Sequence, residues 1–289
     1  MNQKQLLYIF LIPPFIFLFT LGMYPLIEAV YLSLCDLDFR FPGTGNFVGL
    51  KNYIDLFNDS RFYNDIAITL SWFIITTVGS LLVGIALASI VNEYTSGKVK
   101  SLCLFAFVIP VLLPSVAGAF MWKLMFTPAI GIIPFLLSFV GFKTPILGDP
   151  HLALFACSLV YIWQWGSLIA ALVTILFESV PRDPIEAARV FGASGFTLYR
   201  SILIPIIKPG LISLTFYIMV MSLRSFDYIY VMTAGGPGIS TETLDLYAYW
   251  QAIGAAGRVS YASTISIIML LFTIVIMSLY WKMVWVKSS

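Results

Sequence analysis

Arg224 and Asp227 lie three residues apart inside an apolar stretch that could otherwise cross a bilayer. A charge within such a span is costly and faces a cavity or a partner, so the pair marks a candidate transport pathway. At helical spacing the two can equally pair with one another and merely neutralise each other near the end of the span. A second group, Tyr161, Trp163, Gln164, Trp165 and Ser167, mixes aromatic faces with hydrogen-bonding atoms. That mixture suits a sugar ring, although Trp and Tyr also form belts where membrane meets water. A guanidinium in a low-dielectric pathway favours carboxylate, sulfonate or phosphate, so Arg224 points to an anionic ligand. Other reactive chemistry is scarce. His151, the single histidine, has no cluster of His, Asp or Glu around it of the kind a membrane enzyme needs. Cys35, Cys103 and Cys157 fall in apolar surroundings without a CxxC spacing and read as small packing hydrophobes. The chain has no G-x-x-x-x-G-K-[ST] segment, so a nucleotide site belongs on another chain.

The elements that position these residues follow from composition. Hydrophobic residues make up 60% of the 289 positions and charged ones 10%, against roughly 25% charged in a soluble domain, so lipid is the main solvent. Six stretches are long enough to cross a bilayer: about 6–34, 66–91, 101–126, 151–177, 206–233 and 261–285. Unsatisfied backbone groups are expensive in lipid, so all six must be helices. Residues 5–27 carry no charge over a length that exceeds a secretory signal core and lack an Ala-x-Ala-like site, so this segment stays as the first span. Pro110 and Pro114 should kink the third span, and Arg224 with Asp227 interrupts the fifth. Glu28 and Lys123, near span ends, should snorkel or pair. The apolar stretch 128–145, broken by Gly131, Pro134 and Gly141, is too short to cross and should lie at the outer surface.

Orientation comes from Lys and Arg in the connections, which stay on the cytoplasmic side. With the amino terminus inside, nine are cytoplasmic: Lys4, Lys98, Lys100, Arg182, Arg189, Arg200, Lys208, Lys282 and Lys287. Only five are outside, namely Arg40, Lys51, Arg61, Lys143 and Arg258, so both termini are expected in the cytoplasm.

The connection 179–205 carries the strongest signal. Asp183 before Pro184 reads as a helix cap with proline at the first helical position, and Gly192 and Gly195 should end that helix in a sharp turn. A second short helix, about 196–204, should stop at Pro205. Glu186, Ala187 and Ala188, then Gly192, then Ile202, Leu203, Ile204 and Pro205 resemble the EAA signature of permease subunits in binding-protein-dependent ABC importers. Ile204 replaces the usual Leu before the proline, and Phe191 stands where the group often has Asp. The run from Thr233, Ala234, Gly235, Gly236 and Pro237 to Tyr249 resembles the outer loop of the sugar-permease group. Phe47–Tyr53 and Ile109–Pro110 are similar too, so the likeness spans nearly the whole chain and favours the first permease of a heterodimeric pair. Gly235–Pro237 should close span five, and Ser240 or Thr241 should cap a helix entering at Glu242.

The resemblance implies an all-α membrane protein with six transmembrane helices, the type I ABC importer permease fold with cytoplasmic coupling helices, as a single domain over 1–289. It implies that Glu186, Ala187, Ala188, Gly192 and Pro205 form the ATPase-coupling loop. It also places Gln164, Trp165, Leu168, Arg224 and Asp227 where the maltose-type permease of the family holds its sugar. Expected partners are a second homologous permease, two ATPase subunits and an extracytoplasmic substrate-binding protein, in a prokaryotic inner membrane. No cofactor is expected on this chain; ATP and Mg belong to the ATPase subunits. No basic patch points to nucleic acid. The competing class is an ion-gradient-driven secondary transporter, which usually shows inverted repeats and more buried ionisable residues than are visible here.

Overall fold

The computed structural model describes residues 3–41, 43–128, 130–141, 143–224, 226–253 and 256–286. Helix dominates; an antiparallel bridge from Cys35 to Phe47 is the only strand-like pairing among the described residues. In chain order the helices are α1 (Gln3–Leu18), α2 (Tyr24–Ser33), α3 (Lys51–Phe57), α4 (Ser60–Tyr94), α5 (Gly97–Leu112), α6 (Ser115–Phe126) and α7 (Ile132–Ser138). They continue as α8 (Ala153–Glu178), α9 (Arg182–Val190), α10 (Gly195–Leu198), α11 (Ile204–Ser222), α12 (Phe226–Met232), α13 (Leu244–Ala252) and α14 (Val259–Val286). Five are long and apolar enough to cross a membrane once α1 and α2 are joined as Tyr8–Ser33 and α10 and α11 as Gly195–Ser222. A sixth crossing exists if α5 and α6, which meet at 94°, count as one broken span.

Two wide turns make those joins. Phe19–Met23 and Tyr199–Leu203 are π-helical, and each is closed by an amide that reaches five residues back: Tyr24 N–H to the Phe19 carbonyl, Ile204 N–H to the Tyr199 carbonyl. The next residue is proline in both cases, Pro25 and Pro205. Proline has no N–H to donate, and its ring collides with the carbonyl four residues back in an ordinary α-turn; widening the turn moves that carbonyl away. Pro205 therefore does not stop a short helix, as the sequence led us to expect, but sits inside one that runs from Gly195 to Ser222.

By internal packing the chain forms two compact units, residues 1–64 with 244–272 and residues 65–243 with 273–289. In the first, the loop after α2 is fastened at several points. Asn52 Nδ2 donates to the carbonyls of Ser33 and Cys35 at 2.9 and 2.6 Å, and Leu37 N–H donates to Ser260 Oγ at 2.9 Å. The Asp36 carboxylate accepts from the amides of Gly45 and Asn46. Arg40 holds the neighbouring Asp38 carboxyl down to about 2. At the start of α4, the Asp59 carboxylate accepts the hydroxyls of Tyr247 and Tyr261, tying α13 and α14 to one charge. The helix expected to enter at Glu242 begins instead at Leu244; Thr241 Oγ1 is engaged with Thr233 and the Gly236 carbonyl, and Ser240 Oγ has no hydrogen-bond partner among the described residues, so neither caps it.

The second unit is built around α8, whose membrane-length window is 61% buried where no other crossing helix exceeds 33%. Small residues on α4 let it approach α8 closely. A Cβ on Gly79 would stand 2.4 Å from Ile162 Cδ1, and one on Gly84 2.5 Å from Ile169 Cγ2. With lipid as apolar as any side chain, such close backbone approach is what holds two membrane helices together.

Candidate functional site

Both helix breaks in the second unit converge on α8. Between α5 and α6 the chain leaves the helix at Leu113 and Pro114. Pro114 has no amide for the Pro110 carbonyl, and the Leu113 carbonyl lies at the turn. Gln164 Nε2, from α8, donates to both at 3.0 and 2.7 Å. Its Oε1 accepts the Tyr228 hydroxyl at 2.8 Å, and that hydroxyl accepts from Trp165 Nε1 at 2.9 Å. Between α11 and α12, Trp72 Nε1 of α4 donates to the Ser222 carbonyl at 2.8 Å, and Thr77 and Ser222 share a hydroxyl bond of 2.8 Å. Irregular backbone at membrane depth survives only where protein satisfies it or where it lines a cavity, and here both conditions hold.

The cavity beside the second break encloses about 410 Å³ and is lined by Ser115, Trp165, Met221, Arg224, Phe226, Asp227 and Tyr228. Its aromatic wall is braced from behind. Tyr161 stacks near Trp165 with centroids 6.1 Å apart and meets Tyr228 edge-on at 5.2 Å, and Phe226 stacks on Tyr230 at 5.1 Å. Arg224 is exposed in the gap between the helices, and Asp227 is half-buried in the first turn of α12. No ion pair joins them among the described residues: α11 ends at Ser222, so Arg224 lies outside the helix that would have set it one turn from Asp227. The mutual neutralisation allowed by their spacing is therefore not realised, and a cation and an anion both face the same space.

Of the pathway residues expected from sequence, Trp165, Arg224 and Asp227 line the cavity. Gln164 does not: it is 2% exposed and spent on backbone carbonyls and Tyr228. Leu168 is half-buried, one turn along α8, away from the lining. Ser115, Met221, Phe226 and Tyr228 were missed, though all adjoin the prolines or charges that mark the breaks. Lys123 does not snorkel; its ammonium donates to the Val231 carbonyl at 2.8 Å, in the last turn of α12, where a cation complements the helix dipole.

The connection 179–205 folds as a helical knob. α9 starts at Arg182 behind Pro181, two positions earlier than the Asp183 cap expected, so Asp183 and Pro184 lie within its first turn. Its end is as anticipated: Gly192 adopts φ +85°, its amide donates to the Arg189 carbonyl at 3.0 Å, and Ala193 N–H donates to Ala188 at 2.9 Å. That pair of bonds is the Schellman ending that favours glycine. Glu186 and Ala187 are exposed and Ala188 half-buried. At the tip Val190, Phe191 and Phe196 are 85%, 91% and 78% exposed, an apolar patch suited to a partner surface.

The chain is 30% identical over 280 residues to the trehalose/maltose transport system permease protein of Thermococcus litoralis, covering 95% of this chain and 93% of that one. It is 27% identical over 289 residues to the sulfoquinovosyl glycerol transport system permease protein of Agrobacterium fabrum, covering 100% and 93%. Its fold matches a chain in the crystal structure of a bacterial ABC transporter involved in the import of the acidic polysaccharide alginate, with TM-score 0.84, 21% identity and coverage of 97% and 95%. Residues 80–281 match the profile of the binding-protein-dependent transport system inner membrane components. This chain belongs to that family, as a multi-pass membrane permease subunit of an ABC importer.

Proposed function

We propose that this permease forms, with a second homologous permease, the translocation pathway for a carbohydrate derivative bearing an anionic group. A binding protein outside the cytoplasm delivers the substrate, and two ATPase subunits holding ATP and Mg dock on the loop around Glu186, Ala187, Ala188 and Gly192. Both chain termini lie in the cytoplasm, in accord with the excess of Lys and Arg on that side. The observation that carries the substrate class is the cavity between the broken helices, where an aromatic wall from Trp165 and Phe226 meets an unpaired Arg224. Aromatic faces suit the apolar side of a sugar ring, and a guanidinium gives two parallel donors to a carboxylate or sulfonate. The sugar-transport names of two relatives at 30% and 27% identity support a carbohydrate; trehalose and maltose are neutral, so the anionic group rests on Arg224 and on the sulfoquinovosyl name of the second relative.

The test is uptake by the assembled transporter of a uronic-acid disaccharide and its neutral counterpart. Arg224→Ala should lower uptake of the charged sugar about 10- to 100-fold, the factor carried by a hydrogen bond to a charged group, and leave the neutral one little changed. Equal loss for both would make Arg224 structural and remove the anionic assignment.

A further inference from the structure

The coupling loop is fastened to more of the bundle than the helix that follows it. α9 packs on the π-turn Tyr199–Leu203, whose first residue, Tyr199, is 6% exposed. Its hydroxyl accepts from Asn92 Nδ2 at 3.0 Å and lies 3.4 Å from Glu93 Oε2. Asn92 Oδ1 accepts from Lys100 Nζ at 2.9 Å, and the same ammonium pairs with Glu178 at 2.8 Å. The Tyr199 ring stands edge-on to Phe177 with centroids 5.2 Å apart. The end of α4, the start of α5, the foot of α8 and the π-turn thus meet around one phenol. The wide turn sets this register: an α-turn with one residue fewer would rotate Tyr199 by about 100° against α11.

The two routes from the loop to the cavity differ in stiffness. Through α11, a push meets the end of that helix at Ser222 before it reaches Asp227 on α12. Through α8, it travels along one continuous helix from Glu178 to Trp165. Rigid elements joined by hydrogen-bond networks are what carry displacement between distant sites. We propose that Tyr199 is a positioning residue for import, locking the coupling loop to α8 and the α4–α5 connection so that α8 and α11 move together when the ATPases close. This rests on the docking role given to Glu186 and its neighbours.

Spin labels replacing Leu159 on α8 and Phe216 on α11, both partly exposed, test it in the transporter assembled from all its subunits. Their separation is measured without nucleotide and with ATP, Mg and vanadate. In the otherwise native chain the nucleotide should leave the spacing unchanged. In Tyr199→Phe and Asn92→Leu, α8 should lag and the spacing should shift by about 1–2 Å, the scale of helix shifts at interfaces, with the ATPase subunits still bound. An unchanged spacing in both variants overturns the proposal; should Tyr199→Phe fail to assemble, Asn92→Leu decides alone. Glu186→Ala separates the two readings. If it sheds the ATPase subunits while the Tyr199 variant behaves natively, only the Tyr199 role is lost. If it leaves docking and hydrolysis intact, the docking reading itself fails.

Discussion

Gln164 holds the break between α5 and α6 together from α8. An amide among aromatics on an apolar helix looks like a sugar ligand, yet three of its hydrogen-bonding positions are used on the Pro110 and Leu113 carbonyls and the Tyr228 hydroxyl. The two carbonyls accept from it because a helix breaks some 50 residues earlier, which no local pattern around Gln164 reveals. Gln164→Leu should therefore destabilise the protein by about 1–3 kcal/mol, the cost of stranding buried polar groups. In a detergent melt it should lower Tm clearly, whereas Arg224→Ala, at an exposed position, should barely move it. Asp59 offers a second test. Burial acts to raise its carboxyl pKa, but the Tyr247 hydroxyl, the Arg61 amide, the Tyr261 hydroxyl and the Arg61 charge outweigh it and hold the carboxyl below its ordinary value. A depressed pKa means the stabilisation is complete above the unfolded value of about 4 and is lost as pH falls through the folded one. Melts between neutral pH and pH 3 should show this loss in the native chain and a flatter profile in Asp59→Asn.

The fourth and sixth spans were legible to within about two residues and the second except for its first turn and a half, which begins at Ser60, because each is an uninterrupted apolar run of spanning length. The third and fifth were legible only as irregular. Proline and charge announce a disturbance but not its form: Pro114 produces a right-angled break, while Pro205 is absorbed by a widened turn within a helix that continues. What decides is whether neighbouring side chains can take the freed carbonyls, and that is a property of packing. The α4–α8 contact is likewise invisible in periodicity, though Gly79 and Gly84 hint at it. Gly84→Ala should cost about 1–3 kcal/mol through overpacking against Ile169, visible as a lowered Tm of the purified complex. Gly192→Ala forces a side chain into a left-handed conformation at about 1–2 kcal/mol. It should loosen the end of α9 and reduce the ATPase subunit retained on the permease during purification.

For the molecule as a whole, the count of positive residues gives a topology that reporter fusions can check. Alkaline phosphatase joined after residue 45 or 245 should be active, and after residue 96 or 193 inactive; the reverse pattern would invert the orientation. The first span needs a separate remark. Its 26 residues, Tyr8–Ser33, are apolar, and its most hydrophobic window has no buried position. Apart from the charge of Glu28, the described residues of its own chain leave open which side of this rod faces lipid. On the proposed pairing with a second permease, a subunit synthesised alone displays an unclaimed hydrophobic surface to the cell's membrane proteases, so its half-life in a pulse-chase should follow the supply of that partner more closely than its own rate of translation.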